Sequence, residues 1–470
     1  MSPVTSAETT APWRAAYQAL VDDLRGQYAG IPAGAPIRLA KRTSNLFRPR
    51  AATATPGLDV AAFDGVLEVD RQGRTAEVLG MTTYEHLVQA TLPHGLMPLC
   101  VPQLRTITLG GAVTGLGIES ASFRNGVPHE SVLEMDILTG SGDIVTATPD
   151  NEHADLFFGF PNSYGSLGYA LRLKIELEPT RPYVLLHHVR YHTAEQMTEA
   201  IAQLIAAGTH QGYRVDFLDG TVFSAHEQYL TIGTMVDEPA AGLTASDYTG
   251  MGIYYRSIQQ RNTDLLTIHD YLWRWDTDWF WCSRAFGAQK PWLRRLWPKE
   301  KLRSDVYWKL VALDRRHDLS GRLARLQGKP QREPVVQDVE VPIDRLAEFL
   351  GFFHREVGIE PVWVCPLKQR DDRRRWPLYE FDPKVTYVNV GFWSTVALPP
   401  GVDPGEGRVN RRIEEQVTEL DGRKSLYSTA FYDRDAFWSI YGGDVYARLK
   451  DRYDPRHRLL GLYEKVVERR

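Results

Sequence analysis

A run of small residues between Pro102 and Ser120 constrains the fold more than any other part of the 470-residue chain. It carries glycines at 110, 111, 115 and 117 and threonines at 106, 108 and 114. Glycine has no Cβ, so another group can approach this backbone closely. Small residues with available N–H groups suit a phosphate or pyrophosphate, and a loop between core strands is the alternative. The run is not the dinucleotide fingerprint, because Ser120 stands at the third glycine position.

Together with residues 130–145, this run resembles the FAD-binding domain of the vanillyl-alcohol-oxidase flavoprotein superfamily. Three short segments, 115–120, 336–339 and 362–366, narrow the resemblance to the Δ24-sterol reductase branch. Some bacterial relatives of that branch resemble reductases of methylene-branched fatty acyl chains. The resemblance begins near residue 36 and implies an α+β fold. This would be a two-domain PCMH-type FAD-binding fold of two small α/β subdomains, with an α+β substrate cap domain and a C-terminal helical return.

Length and sequence pattern divide the chain into four predicted parts. An N-terminal tail and helix would occupy 1–30, the FAD-binding domain 31–183, the cap domain 184–425 and the returning segment 426–470. Helices are predicted at 12–28, 194–207 and 343–357, and strands at 66–69 and 76–79. A capping box from Thr82 to Glu85 predicts the start of a further helix.

Composition excludes several classes of protein. The net charge of −4 argues against a nucleic-acid binder. The three cysteines lie too far apart for a metal cluster or a disulfide framework, which is typical of a reducing cytoplasm. We predict no metal site, no signal peptide and no membrane span. The expected location is the cytoplasm, with the inner face of the plasma membrane as a peripheral site.

The resemblance implies which residues bind the cofactor. A basic turn from Lys41 to Asn45 would bind the FAD pyrophosphate, and a solvated surface turn is the alternative. Ile118 matches the position of the histidine that carries a covalent flavin in relatives, so we predict non-covalent FAD. The predicted FAD-binding residues are Lys41, Arg42, Thr43, Ser44, Asn45, Pro102, Thr106, Thr108, Leu109, Gly110, Gly111, Thr114, Gly115, Gly117, Ile118, Glu119, Ser120, Ser122, Gly168 and Tyr169.

Two aromatic and basic segments, 271–281 and 290–299, have the composition of a membrane interface. A packed aromatic core with a solvated basic edge is the alternative. Candidate contacts with substrate or membrane in the first segment are Trp273, Arg274, Trp279 and Trp281. Gln337 is a further candidate, as a partner for a flavin edge or a substrate oxygen.

Reduction of an unpolarised carbon–carbon double bond requires a proton donor in a site without water. Aromatic faces would stabilise the cationic character that protonation creates. The candidate acids are Glu119 and Asp338, followed by Tyr427 and Tyr432. The alternatives are a carboxylate that accepts backbone or ribityl hydrogen bonds for Glu119, and a strand residue paired to a nearby arginine for Asp338.

We therefore predict an FAD-dependent oxidoreductase that takes electrons from NADPH and reduces a double bond in a lipid. The first candidate substrate is a phospholipid-bound 10-methylene fatty acyl chain, reduced to a 10-methyl branch of the tuberculostearic acid type. A methyltransferase that makes the methylene group would be a partner, and peripheral contact with the membrane is expected. The alternatives are a Δ24-sterol side-chain reductase, an FAD-dependent alcohol or sugar oxidase, and a non-catalytic lipid-binding flavoprotein.

Overall fold

A computed structural model describes residues 11–41, 47–48, 57–239, 242–317 and 327–469. The predicted α+β class is confirmed. The strands are β1 (Val66–Asp70), β2 (Thr75–Leu79), β3 (Leu96–Pro98), β4 (Val132–Leu138), β5 (Ile144–Ala147), β6 (Tyr169–Pro179), β7 (Tyr183–Tyr191), β8 (Thr209–His210), β9 (Tyr213–Arg214), β10 (Phe217–Ser224), β11 (Glu227–Val236), β12 (Thr263–Thr267), β13 (Arg332–Pro342), β14 (Val362–Leu367), β15 (Tyr387–Ala397) and β16 (Arg423–Lys424).

Helices lie between these strands and after the last of them. They are α1 (Trp13–Ala29), α2 (Tyr84–Thr91), α3 (Leu109–Thr114), α4 (Ser122–Asn125), α5 (Ala154–Gly159), α6 (Ala194–Ala207), α7 (Tyr254–Ser257), α8 (Ile268–Leu272), α9 (Pro291–Leu296), α10 (Ser304–His317), α11 (Leu346–Glu356), α12 (Arg408–Glu419), α13 (Arg434–Ile440), α14 (Gly443–Tyr453) and α15 (Leu462–Val466). In the part of the chain that the structure describes, no helix combines the length and apolar character that crossing a bilayer requires.

Two antiparallel sheets hold most of the strands. The first has the order β1-β2-β6-β4-β5, with β3 paired to β6. The second has the order β12-β7-β11-β10-β14-β15-β13-β16. Its central strands bury one face under α6, α11 and α12, where Val335, Val339 and Phe353 belong to one apolar cluster. The opposite face is therefore available to line a site.

The local sequence patterns predict most helices and strands correctly, but they misplace the N-terminal cap of α2. The helices predicted at 12–28 and 194–207 form as α1 and α6, and Thr193 caps α6 by accepting a hydrogen bond from the Gln196 N–H. Helix α2 is capped by Thr83, not by Thr82. The Thr82 hydroxyl instead bonds the backbone of Gly65, which ties the loop before β1 to this turn.

The C-terminal segment lies against the first sheet and its loops. The Lys450 ammonium on α14 donates to the carbonyl oxygens of Ser166 and Leu459, at 2.8 and 2.7 Å. The Ile37 N–H donates to the Arg458 carbonyl at 2.8 Å. Near the cleft described below, the Phe47 N–H donates to the Tyr427 carbonyl at 3.0 Å. An N-terminal and a C-terminal segment thus meet beside the cleft, through Phe47 and Tyr427.

Candidate active site

A deep cleft lies between the glycine-rich run and the open face of the second sheet. Its empty volume is about 1450 Å³, part of which is open to solvent. Its lining runs from Lys41 and Thr108 beside α3 to Asp338 and Trp393 on the second sheet, so both parts of the fold contribute to the cleft. One wall is backbone and small residues; the other is aromatic and carries one carboxyl group, that of Asp338.

The glycine wall is built around α3 and the loop that follows it. Thr108 caps α3, because its hydroxyl accepts a hydrogen bond from the Gly111 N–H at 3.2 Å. The Gly110 N–H donates to the Gly80 carbonyl at 2.9 Å. A Cβ at position 110 would lie 2.7 Å from that oxygen, so glycine is required where α3 meets the end of β2. The backbone of α3 is thereby fixed along the cleft.

The loop after α3 offers hydrogen-bond donors to a bound group. Leu116, Gly117 and Ile118 line the cleft, and within the described chain no acceptor is found for their backbone N–H groups. A Cβ on Gly117 would lie 2.9 Å from the Pro102 ring and 3.0 Å from that of Pro128. The glycine therefore lets the loop pass between two prolines with its donors available.

These features fit FAD. Unpaired N–H groups suit the acceptor atoms of a flavin or its phosphates. At the other end of the wall, Lys41 lines the cleft, and its ammonium donates to the Thr108 hydroxyl at 3.2 Å. A lysine beside capped backbone donors would neutralise phosphate charge. Ile118 lines the same wall and has no nucleophilic atom, which agrees with the prediction of non-covalent binding.

The aromatic wall combines two segments and two strands. Phe280 packs against Trp393 of β15 with ring centroids 4.3 Å apart, and against Trp363 of β14 at 5.5 Å. Trp279 stacks on Phe47 at 5.8 Å. Trp279 and Phe280 both have positive φ, at 45° and 59°. Such backbone is strained for bulky residues and recurs at functional sites.

Asp338 of β13 is the carboxyl group of the aromatic wall. Its Oδ1 accepts a hydrogen bond from the Asn389 side-chain amide at 3.2 Å. Burial raises the pKa of Asp338 to about 6, although hydrogen bonds from Asn389 and Tyr427 and the charge of Lys424 act against the rise. Gly391 lies directly opposite Asp338 in the strand register. A Cβ at 391 would lie 2.3 Å from the Asp338 carboxyl, so glycine creates its space.

Tyr427 completes the polar part of this wall. Its hydroxyl accepts a hydrogen bond from the Trp393 indole N–H at 3.0 Å, and burial raises the pKa of Tyr427 well above its usual value. Behind Asp338, burial raises the pKa of Glu340 to about 8, and Ser425 and Tyr379 both donate hydrogen bonds to its carboxyl group. Two neighbouring carboxyl groups with raised pKa values can hold protons near neutral pH.

Lys424 lies beneath this group. Its ammonium donates to the Ser428 hydroxyl at 3.0 Å and lies 3.6 Å from the Glu414 carboxylate. Burial lowers the pKa of Lys424 and raises that of Glu414 to about 7. The lysine closest to the C-terminal tyrosine region is therefore engaged within the protein, and it does not line the cleft.

Glu119 occupies a different environment from the one a proton donor requires. Its Oε1 lies 2.8 Å from the Arg274 guanidinium, which also contacts Asp219 at 2.9 Å. The Ser120 hydroxyl donates to the same oxygen at 2.7 Å. Glu119 does not line the cleft. The carboxylate is thus an acceptor in a buried ion-pair network, and its partners are the side chains of Arg274 and Ser120 and not backbone or ribityl groups.

The other predicted residues divide into three groups. Those that line the cleft are Lys41, Pro102, Thr108, Gly110, Gly111, Thr114, Gly115, Gly117, Ile118, Tyr169, Trp279, Asp338 and Tyr427. Those that lie away from it are Thr106, Leu109, Glu119, Ser120, Ser122, Gly168, Trp273, Arg274, Trp281, Gln337 and Tyr432. Arg42, Thr43, Ser44 and Asn45 lie outside the described residues.

The membrane interpretation of segment 271–281 is wrong. Trp273, Trp275 and Trp281 are buried, and Arg274 is 2% exposed between Glu119 and Asp219. The segment is an aromatic core with an internal cation, because its charge is matched by two buried carboxylates. Four residues of this segment were predicted to contact substrate or membrane. Of these four, Trp279 lines the cleft and the other three do not.

The role predicted for Gln337 is also wrong, for a reason set by the strand. Successive side chains of β13 point to opposite faces. Asp338 faces the cleft, whereas the Gln337 amide donates to the Asn410 side chain at 2.7 Å on the face covered by α12. Gln337 therefore positions a helix and does not contact a ligand.

Several residues of the cleft had no individual signal in the sequence. They are Phe47, Gly80, Gln103, Tyr164, Phe280, Trp363, Asn389, Trp393 and Ser425. The segment 362–366 pointed to β14 as a whole, but not to the ring of Trp363. The alternation of side chains along each strand was a better signal, because it separates residues that face the cleft from those that face the helices. Asp338, Gly391 and Trp363 are aligned across three neighbouring strands.

Comparison with known proteins gives the same assignment. A family model described as "FAD binding domain" matches residues 32–148. Cytokinin dehydrogenase 5 of Oryza sativa subsp. japonica is 32% identical over 403 residues, which cover 82% of this chain and 71% of that protein. The chain belongs to the vanillyl-alcohol-oxidase superfamily of FAD-binding flavoproteins. It is therefore an FAD-dependent oxidoreductase.

Similarity to sterol reductases extends over more of the chain at lower identity. The Δ24-sterol reductase of Arabidopsis thaliana is 23% identical over 441 residues, covering 87% of this chain and 76% of that protein. The Homo sapiens Δ24-sterol reductase is 24% identical over 431 residues, covering 86% and 76%. The predicted likeness to the sterol reductase branch is thus confirmed.

Proposed function

We propose that this protein reduces a carbon–carbon double bond in a lipid with electrons from NADPH. The substrate we favour is the methylene group of a 10-methylene fatty acyl chain, which becomes a 10-methyl branch. The observation that carries the proposal is the half-buried Asp338 carboxyl, with its raised pKa, in an aromatic wall opposite the glycine wall. Reduction of an isolated alkene needs that combination of a proton donor and a dry, cation-tolerant wall.

The reaction balances as one alkene, one NADPH and one proton giving one alkane and NADP⁺. FAD bound in the glycine cradle would receive a hydride from NADPH and would then supply one to the alkene. Asp338 donates its proton to the terminal methylene carbon, and the branched carbon becomes the electron-deficient centre that accepts the hydride. The faces of Phe280, Trp363 and Trp393 stabilise that positive charge, since aromatic rings carry negative potential on their faces. They also exclude water, which would otherwise add to the cation.

Asp338 is held ready for this role by its neighbours. Asn389 orients the carboxyl group through a hydrogen bond to one oxygen. Gly391 leaves the space that the carboxyl group occupies, and Trp393 fixes Tyr427 beside it. Ser425 donates a hydrogen bond to Glu340 behind Asp338, and we assign the return of the proton after turnover to this polar group.

A Δ24-sterol side-chain reductase is the second candidate. The specific observation that favours it is the similarity to Δ24-sterol reductases over more than four fifths of this chain. The chemistry is the same, because protonation of either alkene gives a tertiary cation. The two candidates differ in the shape of the lipid that must enter the aromatic half of the cleft.

The test is anaerobic. The purified yellow protein is mixed with NADPH, and then with phospholipid that carries a 10-methylene acyl chain or, in parallel, with a Δ24-sterol. We expect flavin absorbance to bleach with NADPH, to return with the methylene lipid, and the lipid to gain two hydrogens by mass spectrometry. If flavin absorbance returns with the sterol but not with the methylene lipid, the second candidate is the correct assignment. Bleaching by small alcohols in place of NADPH would contradict both and indicate an oxidase.

A further inference from the structure

Helix α9 carries exposed apolar side chains on a protein whose other large apolar residues are mostly inside. Trp292 is 64% exposed and Leu296 is 75% exposed. They are four positions apart in the sequence, so they share one face of the helix. Met251, in a neighbouring loop, is 54% exposed. Isolated exposed apolar residues are ordinary, but neighbouring ones mark an interaction surface.

The loop of Met251 is tied directly to α9. The Arg294 guanidinium, on the buried side of the helix, donates to the carbonyl oxygens of Gly250 and Gly252 at 2.7 and 2.8 Å. Met251 lies between these two glycines in the chain. The same guanidinium forms a buried ion pair with Asp278, with a nitrogen–oxygen distance of 2.7 Å. Met251, Trp292 and Leu296 are therefore held by a common internal cation.

Exposed cations surround these apolar side chains. Residues 284–301 contain five exposed basic residues and one exposed acid, Glu300. The five are Arg284, Lys290, Arg295, Lys299 and Lys301. Within the described residues, Lys290 and Arg295 have no carboxylate partner, whereas Lys299 lies 3.8 Å from Asp247. The whole chain has a net charge of −4, so this basic cluster is a local feature.

We propose that Met251, Trp292 and Leu296, together with Lys290 and Arg295, form a docking surface for an anionic lipid membrane. We call these five residues the α9 patch. Tryptophan favours the headgroup depth of a bilayer, and lysine and arginine beside it meet anionic lipid. The surface is too small and too basic to resemble the apolar core of a stable protein interface. Charge complementarity thus identifies the occupant as an anionic bilayer surface.

The patch is connected to the cleft through one short stretch of chain. Asp278, which holds Arg294 of α9, immediately precedes Trp279 and Phe280 of the aromatic wall. A membrane bound at α9 would therefore lie over the segment that forms this wall. For a lipid substrate, which rests on the proposed function, docking would shorten the path of an acyl chain into the cleft. Docking itself needs no turnover.

Flotation with lipid vesicles tests the proposal. The FAD-loaded protein is mixed with vesicles of phosphatidylcholine alone or of phosphatidylcholine with phosphatidylglycerol, and the bound fraction is measured over a range of salt. We expect binding to the anionic vesicles that weakens as salt rises, because screening reduces surface electrostatics. Equal binding to both vesicles, or to neither, would overturn the proposal.

Variants locate the binding surface. Trp292→Ser with Leu296→Ser should weaken binding by about tenfold or more, through lost apolar burial. Lys290→Ser with Arg295→Ser should weaken it by about 25-fold, at about fivefold for each cation. Tyr213→Ser is the matched control, since Tyr213 is an exposed aromatic on β9, outside the patch. Undiminished binding in both double variants would overturn the assignment.

Two controls separate docking from other causes. FAD content and Tm must match the unmodified protein in every variant, which confirms that folding is intact. Light scattering at several protein concentrations then measures the oligomeric state. The contradicting result has two parts: the unmodified protein forms a dimer but does not bind vesicles, and Trp292→Ser with Leu296→Ser abolishes that dimer. This result would assign the surface to a second copy of the chain. If a variant loses vesicle binding but still reduces lipid with NADPH in detergent, the proposed function is unaffected.

Discussion

Glu119 is a buried carboxyl group and Asp338 is a half-buried one that lines the cleft, and their neighbours give them different roles. Glu119 lies against the Arg274 guanidinium and accepts a hydrogen bond from Ser120. Asp338 lies among aromatic rings with the Asn389 amide and the Tyr427 hydroxyl as hydrogen-bond partners, and its pKa is raised to about 6. A buried cation makes a carboxylate a structural acceptor, whereas an apolar wall makes it a proton carrier. The more deeply buried of the two, Glu119, is thus the structural one, so the neighbours and not the depth of burial decide the role.

The largest effect should come from removing the cation of the Glu119 cluster. Arg274→Met leaves Glu119 and Asp219 as buried charges without their partner. We expect the free energy of unfolding to fall by about 3–5 kcal/mol, measured by denaturant titration of the FAD-loaded protein. Arg181→Met is the control, because its pair with Asp237 is exposed and should change stability by about 0–1 kcal/mol. Similar losses in both variants would show that the cluster is not structural.

A second prediction concerns the space around Asp338. Gly391→Ala places a Cβ against the Asp338 carboxyl and the Trp393 ring. We expect a stability loss of about 1–3 kcal/mol, which is typical of overpacking, and a loss of turnover because the carboxyl group moves. Thermal unfolding and lipid reduction are measured on the same preparation. Gly26→Ala in α1 is the control, since its Cβ meets nothing within 4 Å; unchanged turnover in Gly391→Ala would contradict the account.

A third prediction follows from the raised pKa of Asp338. A general acid must hold its proton, so kcat/KM should be constant below about pH 6 and fall above it. The expected slope is about tenfold for each pH unit, since the protonated fraction of a single group falls by that factor. The pH–rate profile with methylene lipid measures it. An activity that rises with pH through this range would assign a base, not an acid, to the cleft.

The smallest expected effect is at the tyrosine beside Asp338. Trp393→Phe keeps an aromatic face but removes the indole N–H that bonds the Tyr427 hydroxyl. Loss of one such hydrogen bond costs about 0.5–1.5 kcal/mol, so we expect turnover to fall by about threefold to tenfold. Trp438→Phe on α13 is a matched control away from the cleft. If turnover falls as much as it does when the Asp338 acid is removed, Tyr427 would take part directly in proton transfer, which contradicts the positioning role assigned to it here.

Sequence pattern could predict the elements and the cofactor wall, because both are local. The period of α6 and the alternation of β6 are visible within one segment, and the glycine run lies in one loop. The aromatic wall could not be predicted, since it depends on register: Trp363 and Asp338 meet across Gly391 of a third strand. The partner of Glu119 lies 155 residues away on an element of unrelated pattern.

The two aromatic segments show the same limit. Residues 271–281 and 290–299 both contain tryptophan and arginine, but the first is buried and the second exposes Trp292. The difference lies in which cations have a carboxylate close to them in space. Within the described residues, Lys290 and Arg295 of the second segment have none. Arg274 and Arg294 have buried acidic partners, and composition could not assign those partners.

The most direct test of the contrast between the two carboxyl groups is a single-turnover experiment with Asp338→Asn and Glu119→Gln. Each FAD-loaded variant is reduced with NADPH without oxygen and mixed with methylene lipid, and flavin reoxidation is followed. The account predicts normal reduction in both, with reoxidation slowed by about 10²–10⁴-fold in Asp338→Asn and nearly unchanged in Glu119→Gln. Nearly unchanged reoxidation in Asp338→Asn, or the large loss in Glu119→Gln, would contradict it.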